Sequence, residues 1–169
     1  MWQKLLVIIL LFYLFALLQG SFLTHFTFFG AIPNLVFILF FLLVFFEKFN
    51  QSYEVVLLSL VAGGLLDVIS PYKYIGPSVI LLVLIGILLK KAQSALKNKD
   101  DGYPYAYFLP LFVVFLLAYE LSLGLYLFFI DPAKIVSNFG LSTIINMTYN
   151  SVVASIMFYI YKKCQKYTG

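Results

Sequence analysis

The sequence contains no arginine, a single cysteine (Cys164) and a single histidine (His25), and only 11% of its 169 residues are charged. One cysteine cannot form a disulfide within the chain, and one histidine cannot form a histidine metal cluster. All eleven basic residues are lysines, so the chain has no guanidinium group to bind a phosphate or carboxylate in two places. We therefore expect no metal, no cofactor and no nucleic-acid partner.

Apolar residues dominate the composition of the sequence. Hydrophobic residues make up 63% of the sequence and aromatic residues 20%, and the mean hydropathy is +1.02. A soluble fold of this size has too much surface to cover with so few charges. The apolar excess must therefore face lipid, which excludes a soluble enzyme and a disordered chain.

Six apolar segments approach the length of about 20 residues that a membrane-spanning helix needs. They predict one all-α integral membrane domain over residues 1–169, a six-helix transmembrane bundle. Five spans remain an alternative, because the second, third and fourth segments are individually short. No small-x-small cleavage site follows the first segment, which predicts an uncleaved first helix. The predicted spans are residues 5–23, 33–49, 53–70, 74–91, 105–130 and 139–161.

The lysines predict the orientation of these spans. With the N-terminus inside the cell, nine lysines lie in the inner segments and only two, Lys73 and Lys134, lie in the outer loops. Cytoplasmic loops of membrane proteins carry such an excess of lysine and arginine. The asymmetry also favours an even number of spans. We therefore expect both termini in the cytoplasm and a protein that is embedded in membrane lipid.

Glu120 lies two to three residues past the midpoint of the fifth predicted span. A charge at the bilayer centre costs about 2.5–3.5 kcal/mol even on lenient insertion scales. The sixth span runs in the opposite direction and brings Asn146 to the same depth, with Thr143 and Asn150 on the same face. We expect Glu120 to pair with Thr143, Asn146 and Asn150. Two interpretations remain open: a polar clamp between helices, and a proton or substrate site.

A second cluster is predicted on the third span. Ser59, Gly63 and Asp67 are four residues apart and share a face, and Gly64 widens it. Small residues at this spacing let two membrane helices approach closely. Asp67 is then placed to accept hydrogen bonds from the backbone N–H groups of residues 76–78, which open the fourth helix. Contact of this face with a partner helix is the alternative.

Recognisable catalytic motifs are missing from the sequence. It contains no HExxH zinc site, no nucleophile elbow and no phosphate-binding glycine loop. The predicted loops are also too short to form a soluble domain. The sequence therefore gives no positive indication of an enzyme, and any function must lie in the helix bundle or at its rims.

Two stretches resemble the rod shape-determining protein MreD family. They are Ile32–Ile38 (IPNLVFI) and Gly63–Pro71 (GGLLDVISP), and Gly76 follows. The family typically carries a Pro-Asp-Leu start to its second helix and a glycine-rich third helix that ends in Leu-x-x-Asp. Asn34 stands where the family usually has aspartate, so a role that needs a negative charge there does not carry over. At the outer start of the second span, Asn34 is predicted to bond the neighbouring loop.

The resemblance implies a non-enzymatic component of the bacterial cell-elongation complex in the cytoplasmic (inner) membrane. The implied partner is MreC, which has one membrane helix, and the predicted contact is the face of Ser59, Gly63 and Asp67. MreB and the elongation glycosyltransferase and transpeptidase are implied as indirect partners in lateral peptidoglycan synthesis and cell-shape control. The family fold is thought to be similar to the S-components of energy-coupling-factor transporters.

Two other functions remain as alternatives. An S-component-like subunit of a vitamin transporter needs a small-residue contact on its first helix, where this chain has only Ala16 and Gly20. An intramembrane enzyme or another permease would depend on Glu120 alone.

Overall fold

A computed structural model describes residues 2–27, 30–46, 52–70, 76–96, 105–130 and 141–168. Over these residues the protein is 93% helical and has no strands, so the all-α prediction is confirmed for the described part. Helix α1 continues into a π-helical turn, Leu18–Phe22, and a 3-10 turn, Leu23–His25. The six helices are α1 (Trp2–Leu17), α2 (Leu35–Phe46), α3 (Ser52–Ile69), α4 (Pro77–Leu96), α5 (Tyr105–Ile130) and α6 (Leu141–Thr168).

Among the described residues, four helical segments are long and apolar enough to cross a membrane: Leu5–His25, Pro77–Ser94, Tyr105–Ile130 and Thr143–Cys164. Helix α2 is a shorter apolar helix of 12 residues. At about 1.5 Å per residue it is about 18 Å long, less than the roughly 30 Å of a bilayer core. The long apolar helices indicate a multi-pass membrane protein.

Helix α2 forms the centre of the fold. Every residue from Val36 to Phe45 is buried, because α1, α3, α4 and α6 contact it. Helix α5 packs on it through aromatic rings: Phe41 contacts Phe108 at 5.6 Å and Phe112 at 5.2 Å between ring centroids. A helix that is apolar on all sides is stable only when it is surrounded. The predicted second span therefore corresponds to a short helix at the centre of the described part of the fold.

The surrounding helices expose apolar side chains outward. On α1 the buried side chains are Phe12 and Ala16, whereas Leu10 is 70% exposed. Helices α3 to α6 likewise each present an outer apolar face. In water such a surface would be unfavourable, whereas in a bilayer it contacts acyl chains of the same polarity. Examples of these outward residues are Val68, Ile80, Val114 and Ile156.

Helices α3 and α4 pack closely because small residues lie between them. A Cβ atom added to Gly63 would lie 2.5 Å from the Cα atom of Val79, so only glycine fits there. Ser59 is fully buried, and its hydroxyl donates to the Leu82 carbonyl at 3.1 Å. The predicted small-residue face of α3 is therefore occupied by α4 of the same chain.

Candidate functional site

Polar side chains from three helices surround the start of α2. The first backbone N–H groups of a helix have no partner within the helix, and leaving such groups unsatisfied in lipid costs several kcal/mol. Asn34 precedes α2, and its Oδ1 atom accepts a hydrogen bond from the Phe37 N–H at 3.0 Å. The Asn34 N–H in turn donates to Oδ1 of Asn150 at 2.6 Å. The start of α2 is thus bonded both by its own cap and by α6.

Helix α1 supplies a third partner at the same place. Oε1 of Gln19 accepts a hydrogen bond from the Val36 N–H at 3.3 Å. Gln19 lies in the π-helical turn that follows α1, and single π-helical turns are frequent at functional sites. Sequence reasoning missed this residue. The available signal was a lone amide side chain at the end of an otherwise apolar segment.

Asn150 continues the hydrogen bonding along α6 to α5. Its Nδ2 atom donates to the carbonyl oxygen of Asn146 at 2.8 Å and to Oδ1 of Asn146 at 3.0 Å. Nδ2 of Asn146 donates to Oε1 of Glu120 at 3.1 Å. The structure therefore brings Glu120, Asn146 and Asn150 together. Thr143 lies one turn earlier on α6 and makes no hydrogen bond to these three residues in the described part of the chain.

Asp67 caps the start of α4, as Asn34 caps the start of α2. Its Oδ2 atom accepts a hydrogen bond from the Gly76 N–H at 2.7 Å, and its Oδ1 atom accepts one from the Ser78 N–H at 3.0 Å. The predicted capping of the fourth helix by Asp67 is confirmed. The Ser78 hydroxyl also bonds the Tyr119 hydroxyl at 3.0 Å, which connects the start of α4 to α5. Sequence reasoning missed Tyr119, because nothing local marks it among many aromatic residues.

Hydrogen bonds thus link the starts of α2 and α4 to two consecutive residues of α5. Tyr119 bonds toward α4 and Glu120 bonds toward α6. Both lie about 15–17 Å from the end of α5 at Ile130, given about 1.5 Å per residue. We call this set the polar layer, and it connects all six helices. Its members are Gln19, Asn34, Asp67, Ser78, Tyr119, Glu120, Asn146 and Asn150.

Further polar contacts hold the other end of the bundle. Nε2 of Gln93 on α4 donates to the carbonyl oxygen of Phe45 at 2.9 Å, so a side chain from another helix also bonds the end of α2. The hydroxyls of Tyr105 on α5 and Ser155 on α6 are 2.7 Å apart. No local sequence pattern links Gln93 to Phe45, so the contact could not be predicted from the sequence.

The residues predicted to contact a partner helix divide into two groups. Ser59, Gly63 and Asp67 face α4, so a partner helix reaches them only by displacing α4. Gly64 is different, because a Cβ atom added there meets nothing within 4 Å. Asn34 bonds α6 and its own helix rather than a neighbouring loop. Of the two glycines in this predicted set, Gly64 has open space beside it and Gly63 does not.

The chemistry of the polar layer is that of neutral amides, hydroxyls and two carboxyl groups. Within the described residues, no group of three or more His, Cys, Asp or Glu side chains lies close enough to hold a metal ion. Every buried side-chain nitrogen or oxygen in that part of the chain has a hydrogen-bond partner. The arrangement joins helices by hydrogen bonds and satisfies the helix starts that lie inside the bundle.

The chain matches no protein-family description, no curated protein and no solved structure. The resemblance to the MreD family therefore rests on the residues quoted above, within 32–38 and 63–76.

Proposed function

We propose that the protein is a non-enzymatic membrane scaffold of the bacterial cell-elongation complex, which binds MreC and supports lateral peptidoglycan synthesis and cell-shape control. One observation carries the proposal. Two positions within the stretches that resemble the MreD family hold helix starts: Asn34, where the family usually has aspartate, caps α2, and Asp67 caps α4. The resembling pattern thus has a specific structural role.

The bonding of the polar layer supports a scaffold. Both carboxyl oxygens of Asp67 are engaged by the backbone of α4, and Asn150 bonds both α2 and its own helix. These groups fix helix positions relative to one another. A scaffold needs such a fixed arrangement of its helices, since its surface must match that of a partner.

In the proposal the six helices form a transmembrane bundle in the bacterial cytoplasmic membrane, with both termini in the cytoplasm. The lysine asymmetry supports this orientation. Lys91, Lys162 and Lys163 are exposed at the ends of α4 and α6, where cytoplasmic headgroups and water would surround them. MreB and the elongation glycosyltransferase and transpeptidase would then be reached through MreC.

Co-purification tests the function directly. Tagged protein and untagged MreC from the same organism are expressed together, extracted in a mild detergent and purified on the tag. We expect MreC to elute with the protein, whereas an unrelated single-span membrane protein at the same expression level does not. Elution of MreC no greater than that of this control would overturn the proposal.

A second measurement addresses the transporter alternative. The purified protein is titrated with radiolabelled vitamins, with a known vitamin-binding S-component as the positive control. We expect no saturable binding to the present protein. Saturable vitamin binding together with failure to capture MreC would replace the scaffold proposal with the transporter subunit.

A further inference from the structure

Helix α6 has two different faces. Asn150, Ala154 and Phe158 are buried at intervals of four residues, because this face packs on α2 and α5. The opposite face is exposed and runs from the middle of α6 toward its end. We call it the outer stripe of α6, and its exposed residues are Val152, Ile156, Tyr159, Ile160, Lys162 and Lys163. The stripe is aliphatic at one end and carries two positive charges at the other.

The length of the outer stripe matches one leaflet of a bilayer. Lys163 follows Val152 by eleven residues, which is about 16 Å along the helix at about 1.5 Å per residue. Half of a hydrocarbon core of about 30 Å is about 15 Å. When the two lysines lie at the headgroups of a leaflet, the aliphatic residues therefore lie beside its acyl chains.

Tyr159 lies next to the charged end of the stripe. Its side chain is 59% exposed, and its ring stacks on that of Tyr105 with centroids 5.4 Å apart and an interplanar angle of 27°. Tyr105 also contacts α6 through its hydroxyl, 2.7 Å from the Ser155 hydroxyl. Tyrosine rings favour the headgroup level of a membrane. This contact between α5 and α6 therefore marks the depth at which the lysines meet the headgroups.

We propose that the outer stripe of α6 binds an anionic phospholipid, with the phosphate group at Lys162 and Lys163 and an acyl chain along the aliphatic residues. Lysine binds phosphate through its compact positive charge, and lysines beside an anionic leaflet are attracted to it. Their stems can lie along apolar surface while the ammonium groups reach the phosphate. The predicted orientation places this lipid in the cytoplasmic leaflet. The inference does not depend on binding of MreC.

The composition of the stripe favours a lipid over a second membrane helix. Membrane helices pack on one another through Gly, Ala, Ser or Thr, and none of these residues occurs in the outer stripe. A soluble anion would contact the lysines and leave the aliphatic part unused. Among the described residues of α2, α5 and α6, the only carboxyl group is that of Glu120, about 22 Å along α5 from Tyr105. No carboxylate of these helices therefore neutralises the two lysines.

Helix α4 offers a matched control on the same molecule. Lys91 is exposed, and Leu88 and Leu84 on the same face are 53% and 54% exposed. This face has one exposed lysine instead of two, since Lys90 is half-buried, and α4 contains no aromatic residue. A variant of Lys91 therefore separates a lipid site on α6 from a general attraction of anionic lipid to lysines.

Lipid titration followed by native mass spectrometry tests the proposal. The purified protein in a mild detergent is titrated with phosphatidylglycerol, which is anionic, and with phosphatidylcholine of the same acyl chains, which is zwitterionic. We expect the Kd for phosphatidylglycerol to be the lower of the two. The double variant Lys162→Gln/Lys163→Gln should raise that Kd about twenty-five-fold, from about five-fold per lysine. Lys91→Gln should leave it close to the wild-type value.

Two results would overturn the proposal. Equal Kd values of the wild-type protein for the two lipids would show that the stripe does not recognise a negative headgroup, and this result requires no variant. An equal rise in Kd for Lys91→Gln and for the double variant would replace the site with general attraction to lysines. Elution volume on size exclusion verifies the fold of each variant, whose substituted side chains are exposed.

Thermal unfolding tests whether the aliphatic part of the stripe takes part. A ligand that binds only the folded protein raises the midpoint of unfolding, so phosphatidylglycerol should raise it. Inorganic phosphate at the same concentration carries the negative charge without an acyl chain and should leave the midpoint unchanged. Equal stabilisation by inorganic phosphate and by phosphatidylglycerol would show that the ligand is a soluble anion and not a lipid.

Discussion

At the scale of single residues, two adjacent glycines of α3 have opposite environments. A Cβ atom on Gly63 would lie 2.7 Å from the Val79 nitrogen and 2.5 Å from its Cα atom, whereas one on Gly64 would meet nothing within 4 Å. Backbone atoms cannot move aside as the end of a flexible side chain can. The sequence shows both glycines but not which of them faces another helix, since that depends on the rotation of α3.

Gly63→Ala should therefore destabilise the protein, and Gly64→Ala should not. Forcing an extra carbon into a packed contact costs about 1–3 kcal/mol. The midpoint of thermal unfolding in detergent, followed by loss of the monodisperse peak, measures both variants. Gly64→Ala is the matched control, because alanine also favours the helix at both sites. Equal midpoints for the two variants would contradict the close approach of α3 and α4.

Asp67 allows a second test at this scale. Asp67→Ala removes both acceptors at the start of α4, and loss of a helix cap costs about 0.5–2 kcal/mol. Asp67→Asn keeps one acceptor oxygen and should lose less. The same thermal measurement, made on both variants, should rank them as wild type, asparagine, alanine. An alanine variant as stable as the wild type would show that Gly76 and Ser78 do not depend on this carboxyl group.

At the scale of elements, some helix boundaries followed from the sequence and others did not. Predicted spans 53–70 and 105–130 lie within a residue of α3 and α5, because polar or turn-forming residues interrupt the apolar runs there. Predicted spans 74–91 and 139–161 end five and seven residues before α4 and α6 do, because both helices continue beyond the apolar run as polar, lysine-containing segments. The central location of α2 did not follow, since an unbroken apolar segment has no periodicity to distinguish a buried helix from a lipid-facing one. Gln19 and Gln93 were missed because their partners are backbone groups of α2, far away in sequence.

The start of α2 should loosen when its contact with α6 is removed. In Asn150→Ala the Asn34 N–H loses its acceptor, and Asn146 loses the amide that donates to it. Backbone hydrogen exchange, measured by mass spectrometry, should be faster in peptides that cover residues 32–40. Peptides from α3 and α4 serve as the internal control and should exchange as in the wild type. Exchange that rises equally everywhere would indicate global unfolding instead of local loosening.

At the scale of the whole molecule, the apolar outer surface indicates a multi-pass membrane protein, and the lysines predict its orientation. Apolar side chains cover the outsides of the long helices, whereas Lys162, Lys163 and Cys164 are exposed near the end of α6. Composition alone predicted membrane insertion, because 63% hydrophobic residues cannot be hidden inside a chain of 169 residues. The packing order of the helices needed the structure, since lipid-facing and helix-facing residues are equally apolar.

The orientation gives a prediction at this scale. A membrane-impermeant maleimide added to intact cells should fail to label Cys164, whereas the same reagent should label it after the membrane is permeabilised. In a Cys164→Ser background, a cysteine at His25 provides the outward-facing control and should react in intact cells. Labelling of Cys164 before permeabilisation would place the C-terminus outside and contradict the predicted orientation.

The bond between Asn34 and Asn150 joins parts of the chain that are synthesised far apart in time. Helix α2 leaves the ribosome early, with Gln19 and Asn34 already available to satisfy its first N–H groups. The acceptor on α6 becomes available only when α6 has been synthesised. A chain that is terminated before α6 would therefore leave the Asn34 N–H without the Asn150 acceptor and one side of α2 uncovered.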